Sequence, residues 1–184
     1  MPSFSSSKTW ECLRPHESSK DWFSAVWFKG AIPKHAFLMW ISTLDRLPTR
    51  TRLASWGMQI PSTCCLCSVF DETRDHLLLR CEVSLSLWRL TLCRMGFRDL
   101  RFQTWIAMLA WTKTGGTNSP SILRKIAAHA TIYHLWWERN NRFHNQQTTP
   151  ISVLFKQEDR HIRNTISSKR HRRKFKDLMG IWLQ

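Results

Sequence analysis

Three cysteines lie within four residues near the middle of the chain, at Cys64, Cys65 and Cys67, and His76 and Cys81 follow them. Two cysteines separated by two residues can form a tight turn that brings both thiolates to one cation. The pattern Cys64-x2-Cys67-x8-His76-x4-Cys81 supplies three sulfur ligands and one nitrogen ligand, which together fill a tetrahedral zinc ion. Because a filled set leaves no position for a reacting water, the spacing predicts one structural zinc ion.

Cys65 competes with Cys64 for a place in this set because the two are adjacent in the sequence. A single residue between Cys65 and Cys67 gives a poorer turn for two thiolates that must reach one ion. We therefore assign Cys64 to the metal and interpret Cys65 as a free thiol or a neighbour of the site. The alternative is that all four predicted ligands are ordinary buried residues, since cysteine often packs as a small hydrophobic side chain.

The chain carries a formal net charge of +15, which favours a polyanionic partner. We expect this partner to be RNA or DNA, and we expect neither a membrane nor a small-molecule substrate. Two groups of cations are candidate phosphate contacts: Arg46, Arg50 and Arg52 near the cysteines, and Lys169, Arg170, Arg172, Arg173, Lys174 and Lys176 near the carboxyl end. The first group could instead pair with acidic neighbours such as Asp45, Glu72 and Asp75. The second could be a disordered, solvated tail or a nuclear-localisation stretch.

The sequence predicts a mainly α-helical fold, because glycine is scarce and apolar residues recur at helical spacing. We expect a zinc-binding module over residues 1–112 with its core at 4–88, a linker at 113–119, and a helical, basic segment at 120–184. The helix near residues 34–44 is expected to bury Phe37, Trp40, Ile41 and Leu44. The long helix that starts near residue 120 is expected to bury one stripe, running from Ile122 to Asn140.

Tryptophans at helical spacing are expected in the core, above all Trp27, Trp40 and Trp88. Trp136 and Trp137 are also expected to be core residues, although they alternate with arginines and could stack on nucleic-acid bases. Four further histidines lack a second ligand at a suitable spacing and are expected to be ordinary helix residues: His35, His129, His134 and His144. The sequence contains neither a secretory leader nor a long apolar run, so an intracellular protein, nuclear or cytoplasmic and not secreted, is expected.

Residues 31–88 contain a series of motifs that together are specific. They are Ile32-Pro33-Lys34, Phe37 with Trp40, Arg46–Arg50 with Arg52-Leu53, Cys65-Leu66-Cys67 after Cys64, Glu72-Thr73, His76-Leu77, and Cys81 with Trp88. This series closely resembles the zinc-binding domain that follows the reverse transcriptase of plant non-long-terminal-repeat retrotransposons. The upstream aromatic segments, residues 133–140 and the basic end are similar as well, so the resemblance covers nearly the whole chain.

The resemblance implies a helical zinc domain at the carboxyl end of an element-encoded polyprotein, where it assists nucleic-acid handling beside a reverse transcriptase. Because the chain starts just before the zinc domain, it looks like a short, detached reading frame from such an element. Two alternatives stay open: a protein-interaction module that docks to a polymerase, and an element relic with no selected function.

Catalytic motifs of the polymerase and of ribonuclease H are not found in the sequence. Reverse transcriptases hold two magnesium ions with paired aspartates in a Tyr-x-Asp-Asp turn. Here the only tyrosine, Tyr133, is followed by His134, and the acidic pairs at 71–72 and 158–159 lack that context. The 13 acidic residues are mostly scattered. We therefore expect a non-catalytic protein.

Overall fold

A computed structural model describes residues 5–13, 20–116 and 119–183 of the chain. The helices are α1 (Ser6–Leu13), α2 (Phe23–Val26), α3 (Pro33–Thr43), α4 (Arg50–Ser55), α5 (Glu82–Cys93), α6 (Trp105–Lys113), α7 (Ser121–Asn145), α8 (Ile151–Ser168) and α9 (Leu178–Trp182). A π-helical turn at His76–Arg80 precedes α5, and a 3-10 turn at Arg173–Phe175 precedes α9. Over the described residues β structure is limited to isolated bridges, so the predicted mainly α fold is confirmed.

Helix α7 is the centre of the structure and packs against α3, α5, α6, α8 and the π-helical turn. A single buried stripe was predicted for it, and that prediction is wrong, because side chains are buried on most of its surface. The run Ala127, Ala128, His129, Ala130, Thr131 and Ile132 is buried without a break. Small side chains in this run allow several helices to approach the same segment. Gln146, with a φ of 54°, ends the helix in a left-handed conformation.

The buried face of α3 differs from the predicted one. His35, Leu38, Met39 and Ser42 are buried, whereas the side chain of Phe37 is 53% exposed. Both faces have the same i, i+3, i+4, i+7 spacing, so periodicity does not decide between them. The buried face carries two polar residues that find partners: the Ser42 hydroxyl donates to the Leu38 carbonyl at 2.8 Å, and the His35 ring stacks on the Tyr133 ring.

The tryptophans divide between the core and the surface. Trp88 is buried as predicted, and Trp40 and Trp136 are half-buried. Trp27 is 38% exposed and Trp137 is 40% exposed, so the prediction that both belong to the core is wrong. Their exposure leaves aromatic surface for a partner.

The basic segment at 169–176 is folded, which contradicts the disordered tail considered as one alternative. Phe175 is buried against the backbone of Gly30, where an added Cβ would lie 2.5 Å from the Phe175 ring. Trp182 is also buried, and its indole N–H donates to Asp159 at 2.7 Å. These two anchors hold the segment, while Arg170, Arg173, Lys174 and Lys176 stay exposed.

The connection between α6 and α7 is short, and these two helices pack against each other. Gly116 and Ser119 form a bridge, and Arg124 donates to the side chains of Ser119 and Thr114. Positions 117 and 118 of the predicted linker lie outside the described residues. The division of the chain at this linker stays a prediction. No helix in the described part of the chain is long and apolar enough to cross a membrane.

Candidate metal centre

The cysteine loop is a tight turn closed by its own backbone. Thr63 and Asp71 form an antiparallel bridge, and the Cys64 amide donates to the Phe70 carbonyl at 2.7 Å. Within the turn, the Ser68 amide donates to the Cys64 carbonyl, and the Leu66 amide points at the Cys64 sulfur from 3.4 Å. Ser68 adopts a positive φ of 58°, which reverses the chain directly after Cys67. The turn therefore directs the sulfurs of Cys64 and Cys67 to the same side.

The π-helical turn supplies the other two candidate ligands, His76 and Cys81. The five residues His76–Arg80 form a turn that is wider than a turn of α-helix. The Cys81 amide donates to the His76 carbonyl at 2.7 Å, an i to i+5 hydrogen bond that keeps the two residues adjacent. Thr73 caps the turn, because its hydroxyl accepts the His76 amide at 3.2 Å. Such turns are frequent at functional sites.

Four side chains converge where the loop meets the turn. The ligand atoms of Cys64, Cys67, His76 and Cys81 all lie within 4.8 Å of one another, and Cys67 Sγ is 3.3 Å from His76 Nε2. A tetrahedral zinc ion separates a sulfur from a nitrogen ligand by about 3.5 Å, given its usual bond lengths. Cys64 and Cys81 are fully buried and His76 is 8% exposed. The donor set and its spacing fit one closed zinc site.

The two buried thiols of this cluster interact directly. A hydrogen bond with Cys81 lowers the pKa of Cys64 to about 5, although burial opposes this shift. The same hydrogen bond, together with burial, raises the pKa of Cys81. The hydrogen bond between the two thiols therefore shifts their pKa values in opposite directions. A divalent cation bound here would release protons from these thiols, because cysteine binds metals as the thiolate.

Cys65 lies outside the cluster, as its assignment as a neighbour of the site requires. Its amide donates to Glu72 Oε2 at 3.0 Å, which turns the residue away from the other sulfurs. Burial, and then contact with the Glu72 carboxylate, raises the pKa of the Cys65 thiol to about 12. A thiol that keeps its proton is a poor zinc ligand. The competition between Cys64 and Cys65 is thus decided by the loop geometry.

Glu72 joins the cysteine loop to the rest of the protein. Its buried carboxylate accepts the amides of Arg50 and Cys65 at 2.9 and 3.0 Å. It also forms a buried ion pair with Arg139, whose Nη2 and Nε lie 2.8 and 3.0 Å from Glu72 Oε1. The Arg139 guanidinium in turn lies over the Phe143 ring at 4.5 Å. One carboxylate therefore connects α4, the loop and α7.

Arg142 forms a second connection between α7 and the cysteine loop. Its Nη1 donates to the Leu66 carbonyl at 2.7 Å, and its Nε donates to the buried Glu138 carboxylate at 2.7 Å. Glu138 also accepts the Thr149 amide. Sequence reasoning missed both arginine contacts, since it considered only nearby arginines as partners of Glu72. For Arg139, a signal was available in the similarity of residues 133–140 to the resembled domain.

The three arginines proposed as phosphate contacts lie beside the cluster, with different surroundings. Arg50 Nη1 donates to the Thr63 carbonyl at 2.9 Å, so this guanidinium is used to hold the loop. Arg52 pairs with Asp45, through both its carbonyl and its carboxylate. The Arg46 side chain is exposed. Of the three, Arg46 is the one whose side chain is most available to a ligand.

The acidic pairs at 71–72 and 158–159 serve structural contacts. Asp71 accepts the Ser62 hydroxyl, and Glu158 is buried with Oε1 at 2.7 Å from Thr91 and 2.8 Å from Thr131. Burial raises the pKa of Glu158 to about 8. In the described part of the chain, the cysteine–histidine cluster is the one group of His, Cys, Asp or Glu whose ligand atoms converge.

Two of the histidines that were expected to be ordinary helix residues, His35 and His134, form a second polar cluster with His161. His134 Nε2 lies 2.9 Å from His161 Nδ1, and His35 stacks on Tyr133 with 4.2 Å between ring centroids. His129 is buried separately and pairs with the Ala25 carbonyl, while His144 is exposed. Burial lowers the pKa of His35 and His134 to about 3.

Comparisons with known proteins give one match. Searches against curated proteins and against solved structures gave none. The match covers residues 4–88 and is to the family model described as zinc-binding in reverse transcriptase. It includes the loop, the π-helical turn and all four converging side chains, whereas α7 and α8 lie beyond it. Residues 4–88 therefore match a reverse-transcriptase zinc-binding domain, and its candidate metal centre is the cluster of Cys64, Cys67, His76 and Cys81.

Proposed function

We propose that the chain binds one structural zinc ion through Cys64, Cys67, His76 and Cys81. The observation that carries this proposal is the convergence of their ligand atoms within 4.8 Å, in a stretch that matches a zinc-binding family. Three thiolates and one imidazole complete a tetrahedral set, so the ion has no open position for a water. Its contribution is to join the cysteine loop to the π-helical turn, and it takes no part in a reaction.

We further propose that the domain associates with RNA or DNA beside a reverse transcriptase, without catalysing a step. The net charge of +15 and the exposed cations of the folded 169–176 segment support an electrostatic contact with phosphates. The origin we propose is the polyprotein of a plant non-long-terminal-repeat retrotransposon. The motif series over residues 31–88 supports this origin. It lies within the residues 4–88 that match the family model.

Metal analysis of the purified protein tests the first part of the proposal. We expect one zinc per chain after dialysis, and loss of helical signal when a strong chelator removes it, because zinc binding is coupled to folding in small domains. A folded protein with no bound metal, and with no gain in stability when zinc is added, would contradict a structural zinc site.

The salt dependence of binding tests the second part. We expect the affinity for RNA or DNA to fall steeply with ionic strength, with a log–log slope of about −0.7 to −0.9 per phosphate contact. Replacing Arg170, Arg173 and Lys174 with glutamine should reduce the slope. A matched triple variant of the exposed Arg89, Arg98 and Arg101 controls for net charge. An equal reduction of the salt slope in the two triple variants would show that the basic segment has no special role in binding.

A second candidate function, docking to a polymerase, is favoured by an exposed group of aromatic rings. Trp27 and Phe37 are 38% and 53% exposed, and their ring centroids lie 6.1 and 5.9 Å from that of Trp40. Exposed apolar patches of this kind are typical of protein interfaces. Binding to a reverse transcriptase that survives high salt and is lost in Phe37→Ser would favour docking. Binding to neither nucleic acid nor polymerase would favour an element relic without a selected function.

A further inference from the structure

A groove runs between α7 and α8, beside the first turn of α3. Its volume is about 530 Å³, which is within the range of sites that hold small ligands. From α8 it is lined by Gln157, Arg160, His161 and Asn164, which lie at i, i+3, i+4 and i+7 and therefore form one face of the helix. The groove lies outside the stretch that matches the zinc-binding family.

Aromatic rings form the α7 side of this groove. Trp137 is 40% exposed, and Tyr133 precedes it by one helical turn. The His35 ring stacks on the Tyr133 ring with 4.2 Å between centroids, and the Lys34 ammonium lies 4.6 Å from the Tyr133 centroid. The contact between His134 and His161 joins the two helices below these rings. The Tyr133 ring is therefore held in position by contacts within the protein, whereas Trp137 offers exposed indole surface.

The charge of the groove is positive. Among the residues that the structure describes, its lining contains the cations Lys34 and Arg160 and no carboxylate. A neighbouring groove of about 400 Å³ shares Arg160 and Asn164 with it and adds further cations of α8. The one acid there, Asp159, already accepts the Trp182 indole and lies 3.6 Å from Arg163. An anionic ligand thus meets cations along both grooves.

We propose that the groove between α7 and α8 binds a single-stranded nucleic acid, with a base stacked on Trp137 and the phosphates at Lys34 and Arg160. Gln157 and Asn164 offer amide donors and acceptors to the edge of that base. This inference rests on the proposed nucleic-acid association and adds the strand type and the surface. A single strand is favoured because an exposed indole can stack only on an unpaired base, and because stacking and phosphate contacts are combined in such sites.

The test measures the affinity of the full chain for a labelled single strand, a blunt duplex of the same sequence, and the same strand with abasic sites. We expect Trp137→Ala to weaken binding to the intact strand on the order of 5- to 100-fold, as for loss of one stacked base. It should change binding to the abasic strand little. Trp56→Ala is the matched control, because Trp56 is 63% exposed and does not line the groove.

Arg160→Gln should weaken binding to both intact and abasic strands and reduce the log–log salt slope by about 0.7, the value for one phosphate contact. Arg89→Gln, also an exposed helical arginine, is its control and should have a smaller effect. Unchanged zinc content and unfolding temperature would show that all four variants are folded.

Three outcomes decide the matter. The groove is supported if the wild type and the other variants bind the intact strand more tightly than the abasic strand and Trp137→Ala does not. The groove proposal is overturned if Trp137→Ala binds the strand as tightly as the wild type does, or if the wild type prefers the duplex. In either case the proposed nucleic-acid association stands. If the wild type binds no strand and no duplex, both proposals fail together.

Discussion

The protein contains two clusters of side chains of the kinds that bind metals, and both touch α7. In the cysteine cluster, four ligand atoms lie within 4.8 Å of one another. In the histidine cluster, His134 and His161 are hydrogen-bonded to each other, and His35 stacks on Tyr133. The first cluster comes from a tight loop and a short turn, and the second from three packed helices. Convergence on one point therefore depends on local chain reversal more than on residue type.

Burial has opposite consequences in the two clusters. It lowers the pKa of His35 and His134 to about 3, so these imidazoles stay neutral and serve as packing groups. In the cysteine cluster, the hydrogen bond with Cys81 lowers the pKa of Cys64 although burial opposes this shift. A buried thiolate requires a positive partner, whereas a neutral imidazole requires only hydrogen bonds or ring contacts. The cysteine cluster is thus the one whose side chains suit a cation, because four ligand atoms converge there.

The largest expected effect is the loss of a zinc ligand. Cys81→Ser and Cys67→Ser should each lose the ion and unfold the domain, since structural zinc contributes about 10–16 kcal/mol of apparent binding energy. Cys65→Ser should keep the ion, because Cys65 lies outside the cluster. Metal content and circular dichroism would be measured for all three variants.

His161→Gln extends the same comparison to the second cluster and should also keep one zinc per chain. If the wild type binds two zinc ions and His161→Gln binds one, the histidine cluster also binds metal and the two clusters do not differ in this respect.

A smaller but still severe effect is expected at the ion pair that holds the cysteine loop on α7. Arg139→Met leaves the buried Glu72 carboxylate without its cation, which costs about 3–5 kcal/mol. Chemical denaturation of the zinc-loaded protein would measure this change.

In a double-mutant cycle with Glu72→Gln, we expect the two substitutions to be strongly non-additive. Additive effects would mean that the pair does not act as a unit.

The histidine cluster predicts a loss of stability in acid. The unfolded chain binds protons at His35 and His134 below pH 6.5, while the folded chain binds them only near pH 3. Stability therefore falls as the pH decreases from about 6.5 towards 3. In His134→Gln the unfolded chain binds one proton fewer in this range. The free energy of unfolding should therefore fall less steeply with decreasing pH, by about 1.4 kcal/mol per pH unit.

Comparison with the wild type at each pH cancels the separate effect of acid on zinc. If the free energy of unfolding depends on pH in the same way in the wild type and the variant, His134 is not the titrating group.

The smallest effect is expected on the outer face of α3, which faces away from the histidine cluster. Phe37→Ser should change the free energy of unfolding by less than about 1 kcal/mol, because Phe37 is 53% exposed. Met39→Ala on the buried face should cost about 2–5 kcal/mol. Thermal unfolding would measure both. A reversed order would mean that α3 is rotated and that His35 does not reach Tyr133.

Local pattern in the sequence was sufficient for the helices and for the candidate ligands. The observed α3 and α7 lie close to the predicted segments, because prolines and apolar spacing are local signals. The choice of Cys64 over Cys65 followed from the spacing of two residues that a tight turn needs. Cys64, Cys67, His76 and Cys81 lie within 18 residues of one another, so the relation between them is also local.

What the sequence by itself determined is therefore the helical class and the set of candidate metal ligands, since both depend on neighbouring residues. The tertiary structure alone decided which face of α3 is buried, because two faces with the same spacing compete and only the packing partner selects one. It also decided the partner of Glu72, because Arg139 is far away in the sequence and reaches it only through the packing of α7. Contacts of that kind form when helices meet, and no local spacing encodes them.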